Sequence, residues 1–388
     1  MTVTITPKLL AGTIVPPPSK SQAHRLIIAA ELAGGGTIFN LSESQDIQAT
    51  KRCMAALRKG GEALPLLDCG ESGSTLRFLI PVALALRGGG RFTGRGRLME
   101  RPQTPYFELF AGKGIFCQQR DGILTVRGGL RPGRYALPGN VSSQFITGLL
   151  YALPLLPGDS RIEVTTELES RAYVDMTIEA LKVFGVEVSW LDSRTLAVSG
   201  NQRYRPAAAK VEADWSQAGF WYAARALGNP VEVAGLNVAS AQGDKVIAGQ
   251  YDRLGRPGNV EIDVSGCPDL VPPLAVMAAL RQGTTRLTNA ARLRMKESDR
   301  LAAVREELCK LGAWVQEEPD SLTIMGSEHF AGGAADAHND HRIAMMLAIA
   351  ATRADGPVTI TGAESVRKSY PTFWEDYTRL GGQVEELG

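Results

Sequence analysis

The sequence is short of several things, and each shortage removes a class of function. Five cysteines, Cys53, Cys69, Cys117, Cys267 and Cys309, are scattered through 388 residues with no CxxC pair, so neither a disulfide framework nor a thiolate metal cluster is expected, and they read as reduced core thiols. Histidines number only four. His338 and His341 stand three apart beside Asp336 and Asp340, but no HExxH pattern occurs, and the expectation is that no metal is bound. Aromatic residues make up 6% of the chain and the formal net charge is +1, which gives little support for a nucleic-acid surface of stacked rings on a basic field. No apolar run approaches the roughly 18 residues of a membrane span, and the first twenty residues show neither a signal nor a transit pattern, so a cytoplasmic location is expected, with no membrane partner.

What is present is a core-forming composition, 44% hydrophobic against 21% charged, on a chain long enough for about two domains. Six segments share one pattern: an extended stretch, a turn rich in Ser, Asp or Gly, then a helix of small and apolar residues. They begin at Lys20, Glu71, Ser142, Asp214, Asp269 and Asp340. The starts are about 50 to 70 residues apart, too irregular for a solenoid and suited to six related units in two groups. The helices are apolar nearly all round, as in AMMLAIAA, which predicts that they are buried inside a shell of sheet. Amphipathic helices are expected over residues 46–59 and 174–184, and a strand at RIEVTTEL.

Charge chemistry gathers at the turns. A Ser-rich turn entering a helix is a natural anion seat, because the first backbone N–H groups and the positive dipole end face the ligand. PPPSKSQAHR places Lys20, Ser21 and Arg25 on the first turns of a helix, with Ser21 and Arg25 four apart and so on one face. ESGSTLR offers Gly73 for close backbone approach, with Arg77 one turn on, and VSSQF offers the uncharged Ser142, Ser143 and Gln144. GRGRLMERP packs Arg95, Arg97 and Arg101 around Glu100, a loop that would be solvated without company from other motifs. RLRMKESDRL holds Lys296, Glu297 and Arg300 within about one helical turn. NDHRIAM runs Asp340, His341 and Arg342 straight into an apolar helix, and buried charges there need partners or a ligand. Lys368 precedes Pro371 and a Phe-Trp pair, where an exposed lysine is the plain reading.

Taken together and in order, PSKSQAHR, SGSTLR, RLMERP, VSSQF, Pro268-Asp269, MKESDR, NDHR and KSYP resemble the 5-enolpyruvylshikimate-3-phosphate synthases of the enolpyruvyl transferase family, over nearly the whole chain from about Pro16 to Tyr370. The resemblance implies an α/β fold: a two-domain inside-out α/β barrel, each domain three βαβαββ repeats with buried helices and outer sheets. It implies one lobe of residues 1–19 plus 212–388, a second of residues 20–211, and an active site in the cleft between them. The implied reaction moves the enolpyruvyl group of phosphoenolpyruvate to the 5-hydroxyl of shikimate 3-phosphate through a tetrahedral intermediate, releasing phosphate, in the shikimate pathway to chorismate, with no cofactor, by a monomer.

Carried over residue by residue, the resemblance assigns Lys20, Ser21, Arg25, Ser142, Ser143, Gln144, Ser170, Asp269 and Lys296 to shikimate 3-phosphate. To phosphoenolpyruvate it assigns Lys20, Gly73, Arg97, Gln144, Arg300, Arg342 and Lys368. Asp269 would serve the 5-hydroxyl, while Glu297 and Lys20 both remain candidates for the proton at the methylene carbon. Two carboxylates and two phosphates brought together require several cations to offset desolvation. Glu71 stands where many relatives have Asn, which puts phosphoenolpyruvate and glyphosate affinity in doubt, and Arg292 is left without a role. The sister reaction, on UDP-N-acetylglucosamine, belongs to enzymes whose first motif begins Lys-Asn and whose mobile loop usually carries a cysteine; here the motif is Lys20-Ser21 and residues 94–105 contain none. A purely anion-binding protein would gain nothing from Asp269 and Glu297 among its cations.

Overall fold

The computed structural model describes residues 1–61 and 63–387. The chain divides into two compact units, Lys20–Val211 and a discontinuous one of Met1–Ser19 with Glu212–Gly388.

Among the described residues the unit Lys20–Val211 carries six α-helices: α1 (Lys20–Leu32), α2 (Gln45–Arg58), α3 (Gly73–Arg87), α4 (Thr104–Ala111), α5 (Ser143–Ala152) and α6 (Arg171–Val183). Two four-stranded sheets share one topology. In the first, Leu66–Asp68 runs parallel to Gly89–Thr93, which pairs antiparallel with Ile123–Arg127 and that in turn with Phe116–Arg120. The second repeats the order with Gly133–Leu137, Ser160–Val164, Thr195–Val198 and Val188–Trp190. With α3 and α4, and with α5 and α6, between their strands, both are βαβαββ units. A two-stranded parallel pair, Thr37–Phe39 with Ala208–Lys210, stands with α1 and α2.

The other unit carries α7 (Trp215–Ala226), α8 (Ile247–Leu254), α9 (Val271–Ala279), α10 (Arg300–Lys310), α11 (His341–Ala351) and α12 (Phe373–Arg379). Strands Val260–Asp263, Thr284–Thr288, Leu322–Met325 and Trp314–Glu317 repeat the four-strand order. The last sheet repeats it with one exchange: Gly333–Asp336, Val358–Thr361 and Gln383–Leu387 come from the C-terminal region, while the interior position is taken by Thr2–Thr6 from the N-terminus. The chain's first strand thus completes its last repeat.

Helices lie inside and sheets outside because of side-chain patterning. Every residue of α9 and of α11 is buried, and both helices contribute to the one core of the discontinuous unit. The strands alternate, as Ser160–Val164 does, with its even positions turned inward to the helices and odd ones outward or partly exposed only at Arg161 and Glu163. Pro81 inside α3 has no N–H for the carbonyl of Arg77. The hydroxyl of buried Tyr106 donates there instead, at 3.0 Å. Gly148 on α5 allows this approach, since a Cβ would lie 2.3 Å from that hydroxyl and 2.5 Å from the Arg77 carbonyl oxygen. Among the described residues no helix is long and apolar enough to cross a membrane.

Candidate functional site

In the unit Lys20–Val211 the anion-seat turns have the geometry that a seat requires. Ser72 caps α3, its hydroxyl accepting from the Thr75 N–H at 3.2 Å, which leaves the amides of Gly73 and Ser74, at the positive end of the helix, as those a ligand can take. Arg77, one turn on, is buried and lies over the Phe145 ring, 4.9 Å from its centroid. One of its terminal nitrogens donates to Gln144 Oε1 at 2.9 Å and the other to the Pro102 carbonyl at 3.0 Å. Gln144 then donates to Ser74 Oγ at 3.0 Å. Ser142 caps α5 through the Gln144 N–H, and Ser143 is buried at its first turn. The ESGSTLR and VSSQF motifs, nearly 70 residues apart in sequence, are therefore one hydrogen-bonded cluster.

The ERP segment meets this cluster through a residue the resemblance did not pick. Arg101 is buried, and its guanidinium lies 2.6 Å from where a Cβ on Gly73 would stand. Arg97 is exposed, and its guanidinium stands 3.8 Å from the Glu100 carboxylate. A cationic loop read from sequence cannot say which of its arginines turns inward.

Lys20 opens α1 and forms an ion pair with the nearly buried Asp46 of α2 at 2.8 Å. Arg25 is buried, its Nε donating to Thr177 Oγ1 at 2.9 Å, and its two terminal nitrogens to the carbonyls of Ser21, at 2.6 Å, and Tyr173, at 2.9 Å. Burial draws the Arg25 pKa down. Arg25 therefore stands against α6, whose N-cap is Ser170, a buried serine held in the left-handed region with φ 56°. Backbone strain of that kind persists where the surroundings over-determine it, often at ligand clamps.

The other unit gathers the later motifs more tightly. Arg300 opens α10 with 1% of its side chain exposed and touches three carboxylates. It reaches Asp269 Oδ1 at 2.8 Å, Glu297 Oε2 at 2.7 Å and Asp340 Oδ2 at 2.8 Å. Asp269, just ahead of α9, also receives Arg342 at 3.0 Å and Lys296 at 3.5 Å. Asp340 is fully buried, caps α11 through the Arg342 N–H and accepts from Ser298 Oγ at 3.0 Å. Lys368, whose plain reading from its own segment was an exposed lysine and which the resemblance assigned to phosphoenolpyruvate, is buried at 4% and donates to the Asn339 carbonyl at 2.5 Å. Lys296 and Glu297 are not helical: a short helix ends at Met295, and α10 begins only at Arg300 behind its cap Asp299.

The electrostatics follow from this packing. Burial alone would raise the Asp269 carboxyl, but Arg342, Lys296 and Arg300 outweigh it and hold it well below the usual carboxylate range. Burial pushes Lys296 down to about 8 despite the attraction of Asp269. Arg300 is held charged by its carboxylates against its own burial. Cations that can grip anions are thus pre-assembled on carboxylates that can accept a proton.

The assignments carried over from the resemblance left out Asp46, Arg101 and Asp340, which the structure places in these clusters. The signal for Asp340 was on the page, since an acid directly before a wholly apolar helix is both cap and buried charge. Among the described residues the one group spaced for a metal ion is Glu306, Glu307 and His338, where the Lys310 ammonium already lies 2.9 Å from Glu306 and 2.7 Å from Glu307.

Comparison with known proteins agrees along the whole chain. A sequence model of the EPSP synthase (3-phosphoshikimate 1-carboxyvinyltransferase) family matches residues 5–377. A 3-phosphoshikimate 1-carboxyvinyltransferase from Clostridium kluyveri is 45% identical, covering 99% of this chain and 98% of that one. Its counterpart from Clostridium acetobutylicum is 46% identical at the same coverage. The solved EPSP synthase of Acinetobacter baumannii superposes with a TM-score of 0.79 at 25% identity, covering 99% of this chain and all of that one. The enolpyruvyl transferase NikO from Streptomyces tendae shares the fold, with a TM-score of 0.77 at 17% identity.

Proposed function

Because the chain belongs to the EPSP synthase (3-phosphoshikimate 1-carboxyvinyltransferase) family, we propose that its two charged clusters serve one reaction, the transfer of the enolpyruvyl group of phosphoenolpyruvate to the 5-hydroxyl of shikimate 3-phosphate. The single observation that carries the assignment of roles is Asp269, a carboxylate held ionised by Arg300, Arg342 and Lys296. When the carboxylate and phosphate of the substrates draw on those cations, Asp269 loses partners and its proton affinity rises toward that of a working base. It then takes the proton of the attacking hydroxyl.

The 5-oxygen attacks C2 of phosphoenolpyruvate while a proton adds to its methylene carbon, giving a tetrahedral intermediate. That methyl group then gives up a proton as the C2–O bond to phosphate breaks, leaving the enol ether and inorganic phosphate. Glu297, 2.7 Å from Arg300, and Lys20, paired with Asp46, are the groups we assign to the methylene proton. Arg300, Arg342, Lys368 and the Gly73 turn with Gln144 and Arg101 bind phosphoenolpyruvate, with the geometry favouring Arg101 over Arg97. Ser21, Arg25, Ser142, Ser143, Ser170 and Lys296 hold shikimate 3-phosphate. No step calls for a cofactor, and the enzyme works as a cytoplasmic monomer.

The test is release of phosphate by the purified protein from phosphoenolpyruvate, with shikimate 3-phosphate and UDP-N-acetylglucosamine offered in parallel. Release that requires shikimate 3-phosphate supports the proposal. Release with the nucleotide sugar alone assigns the sister reaction.

A further inference from the structure

Beneath the Gly73 turn runs a chain of buried hydrogen bonds that none of the substrate-binding roles above uses. His24 Nδ1 on α1 lies 2.7 Å from Thr50 Oγ1 on α2, which lies 2.7 Å from Thr75 Oγ1 on α3. Thr75 donates its hydroxyl to the Ser72 cap at 2.8 Å. His24, Thr50, Ser72 and Thr75 are each 0% exposed.

The direction of the whole chain is fixed from its far end. Thr75 spends its only hydroxyl hydrogen on Ser72, so it must accept from Thr50. Thr50 then has no hydrogen left for His24, so His24 must donate from Nδ1. Nε2 is a buried atom with no hydrogen-bond partner among the described residues, so a proton there would go unpartnered, and the ring that fits is the neutral tautomer with its hydrogen on Nδ1 and a bare Nε2. Burial, followed by the charges of Lys20 and Arg25, lowers the His24 pKa well below its ordinary value, which keeps that tautomer neutral.

We infer that His24, Thr50 and Thr75 form a one-way positioning relay that locks the Ser72 cap, and with it the amides of Gly73 and Ser74, in the orientation that receives the phosphoenolpyruvate anion. The relay rests on the reading of the Gly73 turn as that anion's seat. It ties three helices, α1 with Lys20 and Ser21, α2 with Asp46, and α3 with the seat, through side chains too short to tolerate slippage. A cap free to rotate would still let α3 form, but its first amides would no longer be pre-set, and binding would bear the cost of ordering them.

Four variants and one spectrum test it. Thr50→Val keeps shape and removes the link, and it should raise KM for phosphoenolpyruvate about tenfold while kcat and KM for shikimate 3-phosphate stay within about threefold. Thr50→Ser, which keeps the hydroxyl, should restore the wild-type value. His24→Asn, whose amide nitrogen can stand where Nδ1 does, should act like wild type where His24→Leu acts like Thr50→Val. In a ¹⁵N spectrum of the folded enzyme, His24 should show a protonated Nδ1 and a bare Nε2, unchanged on acidification to about pH 5.5, below the ordinary histidine pKa of about 6.5. The chain has four histidines, so His24→Asn assigns the signal, and the spectrum stands even if Thr50→Val does not fold.

Gly73→Ala separates the two layers of the argument. If Gly73→Ala raises KM for phosphoenolpyruvate and Thr50→Val does not, the relay is overturned and the seat survives. If Gly73→Ala leaves that KM unchanged, the seat is wrong and the positioning role falls with it. A protonated Nε2 on His24, or equal effects of Thr50→Ser and Thr50→Val, also overturns the relay.

Discussion

Replacing Asp269 with Asn separates chemistry from charge more cleanly than any other change in the described structure. The substitution keeps the shape and leaves a carbonyl oxygen to accept from Arg300 at 2.8 Å or Arg342 at 3.0 Å, but it removes the negative charge and the ability to take a proton. Stability should fall only modestly. Breaking a buried ion pair outright costs about 3–5 kcal/mol when a charge is left uncompensated, yet Arg300 retains Glu297 at 2.7 Å and Asp340 at 2.8 Å. We therefore expect a loss of about 1–2 kcal/mol, near that of weakening one charged hydrogen bond, and a protein that remains folded. Turnover should fall by at least about a hundredfold, the lower end for loss of a general base and equivalent to about 2.7 kcal/mol in the barrier. Anion binding should hold or strengthen, because Arg300, Arg342 and Lys296 lose a competitor. The assay is kcat from phosphate release beside calorimetric binding of shikimate 3-phosphate. A kcat within threefold of wild type refutes the proton-transfer role, and loss of binding in a folded variant would show that Asp269 serves only to hold the cations in place.

Other consequences follow from single contacts. Lys296, with its pKa pushed down to about 8 by burial, is charged below that pH and neutral above it, so KM for shikimate 3-phosphate should climb about tenfold between pH 7 and 9; Lys296→Arg, always charged, should flatten the rise. Arg101→Ala should raise KM for phosphoenolpyruvate at least about tenfold, the worth of a charged hydrogen bond, while Arg97→Ala, removing an exposed cation 3.8 Å from Glu100, should change it less than threefold. Gly148→Ala forces a Cβ to within 2.3 Å of Tyr106 Oη and 2.5 Å of the Arg77 carbonyl; thermal unfolding should report a loss of about 1–3 kcal/mol, with the seat around Arg77 loosened as well.

Much of this architecture was legible because the inner helices are apolar on every side. A sequence such as His341–Ala351 has no polar face to show to water, and all eleven residues are buried. The turns were legible for the same reason in reverse, since charge placed against such a helix must be partnered. Legibility ended where direction is set by tertiary contact. Nothing in the ERP loop distinguishes Arg97 from Arg101 until the packing of Leu98, which is buried, and the approach of Gly73 turn one outward and the other in. The KES segment carries helix-forming residues but is extended at Lys296, because Asp299 rather than an earlier residue caps α10. Lys368 looks like a surface lysine until the fold places the Asn339 carbonyl against its ammonium. The strand Thr2–Thr6, closing a sheet whose other members lie beyond residue 332, pairs across more of the chain than any local pattern can encode.

In the proposed reaction the enzyme adds a proton to the methylene carbon of phosphoenolpyruvate and later removes one from the resulting methyl group. Turnover of unlabelled phosphoenolpyruvate and shikimate 3-phosphate in deuterium oxide tests it directly, read by mass spectrometry and proton spectra of the product. Deuterium in the vinyl group of the product is the predicted result, because the methyl of the tetrahedral intermediate carries one solvent deuteron among three positions. A product formed at the normal rate with no deuterium on that carbon would contradict the addition and elimination, and with it the roles given to Asp269, Glu297 and Lys20.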